Sequence, residues 1–128
     1  MGKIEFDNQN PIISVWVKIE YRREVSRVKM ALDTGASLCM IPWKVAEILE
    51  LHPELSKEKI DITTASGVLT VPLVIVDSIT VSKNEVNNIK VLVHDLPPKS
   101  YVDGLLGASF LSNFELCINY KKGYFELK

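Results

Sequence analysis

In Lys29–Pro42, KMALDTGASLCMIP, an alternating apolar run ends on an aspartate. Thr34 and Gly35 follow Asp33 at once, and apolar residues resume at Leu38 and Met40. An ionised carboxylate is costly to bury without a partner, so Asp33 needs one. A carboxyl group can take up and release a proton, and beside a residue with no side chain it is open to approach. Asp33 is therefore the first candidate for acid–base chemistry. Other reactive residues are sparse. Cys39 and Cys117 lie among apolar neighbours and read as small buried hydrophobes in a reducing compartment. His52 and His94 stand far apart, which argues against zinc; they read as surface or cap residues. No metal and no other cofactor is expected.

The elements that must hold this loop are strands. Ile13, Val15, Val17, Ile19 and Tyr21 alternate with Ser14, Trp16, Lys18 and Glu20, the period-two pattern of a half-buried strand. After the polar RREVSR, Val28, Met30 and Leu32 resume the alternation, which predicts a hairpin ending at Asp33. KIDITTASG and VLTVPLVIVDSITV predict a second hairpin, with Thr64 to Gly67 as its turn and Gly67 supplying a positive φ. Pro72 predicts an edge position or a bulge in the returning strand, and Leu73 to Val76 reads as core. NNIKVLVHD is a further strand, and ELCINYKKGYFELK a last hairpin around Lys122 and Gly123.

Helical signals are few. Pro42 suits a first helical turn, and Val45, Ile48 and Leu49 of WKVAEILEL have helical spacing, with His52-Pro53 ending the run. A short helix fits GASFLSNF after Gly107. LDTGAS and LLGAS echo one another weakly. The whole is an all-β domain with minor helix.

The chain of 128 residues reads as one domain over residues 1–128, large enough to bury a core unaided. A net charge of -1 with scattered charges offers no stripe for nucleic acid and no acidic arm. MGKIEFDNQN has no apolar run to serve as a signal, and Phe6 stands where a myristoylation motif needs Ser or Thr. No window reaches the ~20 apolar residues of a membrane span. A soluble, cytoplasmic protein without membrane or nucleic-acid partners is expected.

ALDTGAS, Ala31 to Ser37, resembles the catalytic loop of aspartic proteases. DGLLGASFL, Asp103 to Leu111, resembles the apolar-apolar-Gly segment before the C-terminal helix of their retroviral-type, single-domain members. The order of loop, helix, Gly-containing hairpin, LLG, helix and final strand agrees as well. The resemblance covers residues 12–127 and is closest to retropepsin-like proteases encoded outside retroviruses. It implies a retropepsin-like acid protease fold. That fold is a curled, closed β-sheet domain with a flap hairpin, one medium helix after the Asp-Thr-Gly loop and one short C-terminal helix.

Peptide hydrolysis without a metal needs a base to activate water and an acid to protonate the carbonyl oxygen and the leaving amine. Two carboxylates that share one proton do both, aspartic proteases being the reference case. This chain has one Asp-Thr-Gly, and Asp103-Gly104 lacks the middle residue. The resemblance therefore implies a homodimer in which Asp33 meets Asp33 of the partner subunit on a two-fold axis.

Thr34, by the same resemblance, hydrogen-bonds across the axis, and Gly35 lets backbone and water approach the carboxylates. Ala36 and Ser37 complete the loop. Ser37 is either a hydrogen-bond partner of the outer Asp33 oxygen or a cap or turn residue before the helix. Taken alone, Ala65, Ser66 and Gly67 read first as an ordinary exposed turn; with the motifs on either side, the resemblance makes them the flap over the substrate. Leu32, Ile62, Val68, Leu69 and Leu105 are candidate substrate walls, each equally explained as core. Many relatives lock their dimer with a charged or amide residue two positions after the Gly of LLG, often preceded by Arg. Ala108 and Ser109 stand here, leaving apolar packing and strand pairing for that contact. Trp16 is either a contact for another subunit or substrate, or is covered by a neighbouring element; Trp43 packs the helix or core.

The function these residues predict is an aspartic endopeptidase, active as a homodimer on extended polypeptides with apolar residues flanking the cleaved bond. The alternative is a non-catalytic peptide-binding or dimerisation module on the same fold. A PDZ-like module using GLLG as its carboxylate loop leaves Asp33 unexplained.

Overall fold

A computed structural model describes residues 2–128. The order of elements is β1 (Lys3–Glu5), β2 (Ser14–Tyr21), β3 (Glu24–Leu32), β4 (Cys39–Ile41), α1 (Trp43–Ile48), a 3-10 turn (Pro53–Leu55), β5 (Lys59–Thr64), β6 (Gly67–Val81), β7 (Asn84–Val93), β8 (Gly104–Leu106), α2 (Ala108–Leu111), β9 (Leu116–Asn119) and β10 (Tyr124–Leu127). One sheet runs β2-β3-β8-β4-β7-β6-β5, and a smaller one runs β1-β10-β9. β2 also pairs with β6, through Lys18 with Thr80, Ile19 with Ile79 and Glu20 with Ser78. That second pairing curls the larger sheet into a closed barrel and removes its edge there.

The alternation in β2 and β3 does what its period requires. Val17, Ile19, Val28 and Met30 are buried, while Trp16 on the opposite face of β2 is 61% exposed. The turn between these strands is only Arg22 and Arg23, with φ of 46° and 74°. The strand therefore begins earlier than the polar RREVSR suggested. Two consecutive positive φ values are the mark of the turn whose twist matches a tight hairpin. The barrel interior is filled by residues such as Phe110, Phe125, Ile41, Leu49, Ile79 and Leu106, all fully buried.

Pro72 stands inside β6, opposite Lys59, and the next residue, Leu73, pairs with Leu92 of β7. Neither an edge strand nor a bulge is needed. The residue without an N–H falls where β6 passes from pairing with β5 to pairing with β7. A second apolar cluster gathers at this handover: Val71, Leu73 and Leu92 are buried, with Leu38, Met40, Ile60 and Ile62 packed against them. The β5–β6 hairpin is thereby seated on β4 and on the segment leading to it.

Several expectations need correction. Ile75, read as core with its neighbours, is 51% exposed: Leu73, on the same face of the strand, is covered by the second apolar cluster, and that cover does not reach Ile75. α1 stops at Ile48, short of His52. Glu50 and His52 take left-handed φ of 55° and 51°, and Ile48 is 52% exposed. β1, β4 and β8, three residues each, have no counterpart in the predicted strands. Among the described residues no helix is long and apolar enough to cross a membrane.

Candidate active site

Asp33 follows directly on β3. β8 lies parallel to β3, pairing Met30 with Gly104, Ala31 with Leu105 and Leu32 with Leu106. On its other side β8 meets β4 through Leu105 and Met40. The chain leaving β3 must therefore pass around the end of β8 to become β4, and residues 33–38 are that passage. The apolar Leu105-Leu106 thus lies between the two limbs of the loop that carries the carboxylate.

The loop is tied at each step. Leu32 N–H donates to Ile13 O at 2.8 Å and Asp33 N–H to Leu106 O at 3.1 Å. Ala36 N–H closes the turn on Asp33 O at 3.2 Å, and Gly35 N–H donates to Asp33 Oδ1 at 3.0 Å. A carboxylate that accepts a backbone N–H is held in orientation as well as in charge. Gly35 is not in the left-handed region. The neighbour a Cβ there would meet is Asp33 Oδ1, at 3.4 Å, so what glycine leaves open is the approach to the carboxylate.

Asp33 is half-buried rather than enclosed, and Thr34, Gly35 and Ser37 are exposed. The carboxylate thus stands at a surface of the subunit. Among the described residues the Thr34 hydroxyl makes no hydrogen bond. Ser37 Oγ makes none to Asp33; its carbonyl instead accepts Ser109 N–H at 3.0 Å. α1 begins at Trp43 with Pro42 in the N-cap position, so Ser37 does not cap it either.

An open cleft of about 410 Å³ lies beside Asp33. Leu32 and Leu105, two of the candidate walls, line it with Ile12, Leu96, Tyr101 and Tyr120. Tyr101 and Tyr120 are 72% and 65% exposed. Nothing in their spacing announced them; they reach the cleft from a loop and from the β9–β10 turn. The loop after β7 is anchored by Asp95, whose Oδ1 accepts Trp43 N–H at the start of α1 at 2.9 Å.

The other three wall candidates lie on the β5–β6 hairpin. Ile62 packs in the smaller apolar cluster, and Val68 and Leu69 are 64% and 40% exposed. Ala65, Ser66 and Gly67 form the exposed tip, where Gly67 has φ of 125°. Thr64 Oγ1 fixes the tip by donating to Gly67 O at 2.9 Å and accepting Ser66 N–H at 3.2 Å. None of the tip residues lines the cleft.

Beneath the loop, Cys39 is fully buried. Burial pushes its thiol up from the ordinary range, against opposing hydrogen bonds from Ser109, Gly107 and Phe110. The nearby hydroxyl of Ser109 accepts Cys39 N–H at 2.9 Å. Among the described residues no three His, Cys, Asp or Glu side chains gather closely enough to share a metal ion.

With this geometry in hand, comparison with known proteins gives a consistent result. Residues 17–110 match the family model described as aspartyl protease. The match covers well over half of the chain, which belongs to that family. Its fold is retropepsin-like: the crystal structure of a retropepsin-like aspartic protease from Rickettsia conorii superposes with a TM-score of 0.75 at 23% identity, covering 98% of this chain and 99% of that one. Among curated proteins none matches.

Proposed function

We propose that this chain is an aspartic endopeptidase that works as a homodimer, over a single domain spanning residues 1–128. Asp33 of each subunit forms one half of a proton-sharing pair. One carboxylate takes a proton from water as its oxygen attacks the carbonyl carbon, and the other gives its proton to the carbonyl oxygen. As the C–N bond breaks, the proton taken from water passes to the leaving nitrogen and the diol returns its proton to the second carboxylate. Thr34 bonds across the two-fold axis to the partner loop, and Gly35 leaves room for water and substrate. Ala36 and Ser37 carry the chain back into the barrel. The hairpin tip Ala65, Ser66 and Gly67 closes over an extended peptide and excludes water.

One observation carries the reading. The single Asp-Thr-Gly of the chain stands at an exposed face, beside a cleft walled by Leu32 and Leu105. An apolar cleft next to a carboxylate favours peptides with apolar side chains flanking the scissile bond.

Asp33→Asn keeps the size of the side chain and the bond from Gly35 N–H while removing the shared proton. Cleavage of denatured casein, followed by mass spectrometry, should fall by about 10²–10⁴-fold, with dimerisation retained. Undiminished cleavage by the variant rejects the assignment. If the wild-type chain cuts no bond in a peptide library yet retains peptides, the non-catalytic peptide-binding module is the correct reading.

A further inference from the structure

The segment that follows β8 does more than continue the chain into α2. Leu106 O holds Asp33 N–H on the incoming limb of the loop at 3.1 Å. On the outgoing limb, Ala108 N–H donates to Ala36 O at 2.7 Å and Ser109 N–H to Ser37 O at 3.0 Å. Ser109 Oγ accepts Cys39 N–H at 2.9 Å and donates to Lys90 O, on β7, at 3.4 Å. Gly107 N–H donates to Cys39 Sγ at 3.4 Å, so four consecutive residues, 106–109, grip both limbs of the turn that carries Asp33. The one side chain taking part in that grip through a hydroxyl is Ser109.

Two further facts give this grip its precision. A Cβ on Gly107 would lie 2.5 Å from Leu38 O and 2.7 Å from Ala36 O, so the two segments touch backbone to backbone. Cys39, whose N–H the half-buried Ser109 receives, is fully buried, so loss of the hydroxyl takes from that N–H its partner within the protein. The Ser109 hydroxyl accepts Cys39 N–H while its own single proton can go either to Lys90 O, 3.4 Å away on the exposed side, or to the Cys39 sulfur.

We propose that Ser109 is a positioning residue for Asp33: its hydroxyl ties the outgoing limb of the catalytic loop to β7 and sets the loop geometry inside each subunit, before any partner is met. The inference rests on the endopeptidase reading for its consequence in turnover, but the tie itself is independent of it. Displacing a reacting group by a fraction of an ångström to an ångström costs rate rather than affinity.

The test uses Ser109→Ala and Ser109→Cys, which remove a good acceptor, and Ser109→Thr, which keeps a hydroxyl. Turnover is measured on an apolar peptide substrate, with active sites counted by titration against a tight-binding inhibitor, so that misfolded protein is not read as slow enzyme. For Ala and Cys, kcat per titrated site should fall about tenfold or more with KM little changed, and Thr should restore most of it. Ser109→Cys keeps the bulk of the side chain if the alanine variant does not fold. Amide hydrogen exchange at Cys39 is read in parallel and should quicken in Ala and Cys but not in Thr, with Val17 unchanged. Wild-type kcat per site in both Ala and Cys overturns the inference. If the wild-type chain proves inactive, the endopeptidase reading fails on its own account. Exchange at Cys39 then decides: faster exchange upholds the tie, and unchanged exchange overturns it.

Discussion

One carboxylate cannot act as base and acid at the same moment, whereas two that share a proton can. In the proposed pair each Asp33 brings one backbone N–H on Oδ1, a glycine two residues on, and an open face. Cys39, six residues later, is its opposite. It is fully buried, its N–H is used by Ser109, and burial raises the pKa of its thiol. The reactive thiolate is therefore scarce as well as shielded. Native protein treated with iodoacetamide should label at the half-buried Cys117 well before Cys39. If reaching Cys39 requires a local opening of about 3 kcal/mol, its labelling slows on the order of 10²-fold. Peptide mapping after timed quenching reads both sites. The sign of the linkage follows from the raised pKa. The contribution of Cys39 to stability is whole below the ordinary thiol range and declines as pH climbs through the folded-state value. Equal labelling rates at the two cysteines would remove the buried loop base on which the grip by Ser109 depends.

Long strands and the two hairpins around the site were legible because a period of two survives over eight or more residues. β2 falls within the run that the alternation marked, whereas β3, β6 and β7 overlap their predicted strands but begin earlier, at Glu24, Gly67 and Asn84. The Asp-Thr-Gly loop and LLG were legible as motifs, but their mutual contact was not. Three-residue strands such as β4 and β8 are too short to show a period, and they form because β3, β4 and β7 hold them in the barrel. β1 owes its existence to pairing with β10, at the far end of the sequence. Ser109 stood out only as a departure from the dimer-locking residue of relatives; its tie within the subunit gave no signal, since that depends on its distance to Cys39. Exposure of Ile75 and Ile48 was missed because a run of apolar letters does not reveal which face is covered. At this scale Gly107 yields a sharp expectation. A methyl group there would meet two carbonyl oxygens, Leu38 O at 2.5 Å and Ala36 O at 2.7 Å, and neither belongs to a side chain that can swing away. Gly107→Ala should cost about 1–3 kcal/mol by overpacking and should depress activity beyond what the loss of folded protein explains. Urea denaturation with turnover per titrated site separates the two, and a variant as stable as wild type would mean that the loop and α2 are not held as close as the geometry requires.

In the proposed dimer the division of labour between subunits is clear. Each subunit builds its own loop through residues 106–109, and what it lacks is a second carboxylate and a partner for Thr34, whose side chain is exposed and without a hydrogen bond among the described residues. No charged residue follows the Gly of LLG to bridge the subunits, and Ser109 is turned to Cys39 and Lys90. Thr34 is then the polar contact that most directly couples assembly to the site. Two-fold symmetry doubles every such bond: each Thr34 makes one, so Thr34→Val removes two. At about 0.5–1.5 kcal/mol net for each hydrogen bond, the pair is worth about 1–3 kcal/mol. That corresponds to a dimer dissociation constant raised roughly 5-fold to 150-fold. Valine keeps the shape of threonine, so the fold and the monomer stability should hold. Sedimentation equilibrium over a concentration series gives the constant directly. Specific activity should fall on dilution at a proportionally higher concentration in the variant, while saturating protein restores most of the turnover. Ser109→Ala should do the reverse, lowering turnover at every concentration with little change in the dissociation constant. A Thr34→Val protein that dissociates no more readily than wild type would show that the subunits are joined elsewhere, and the loop would then have to meet its counterpart without help from Thr34.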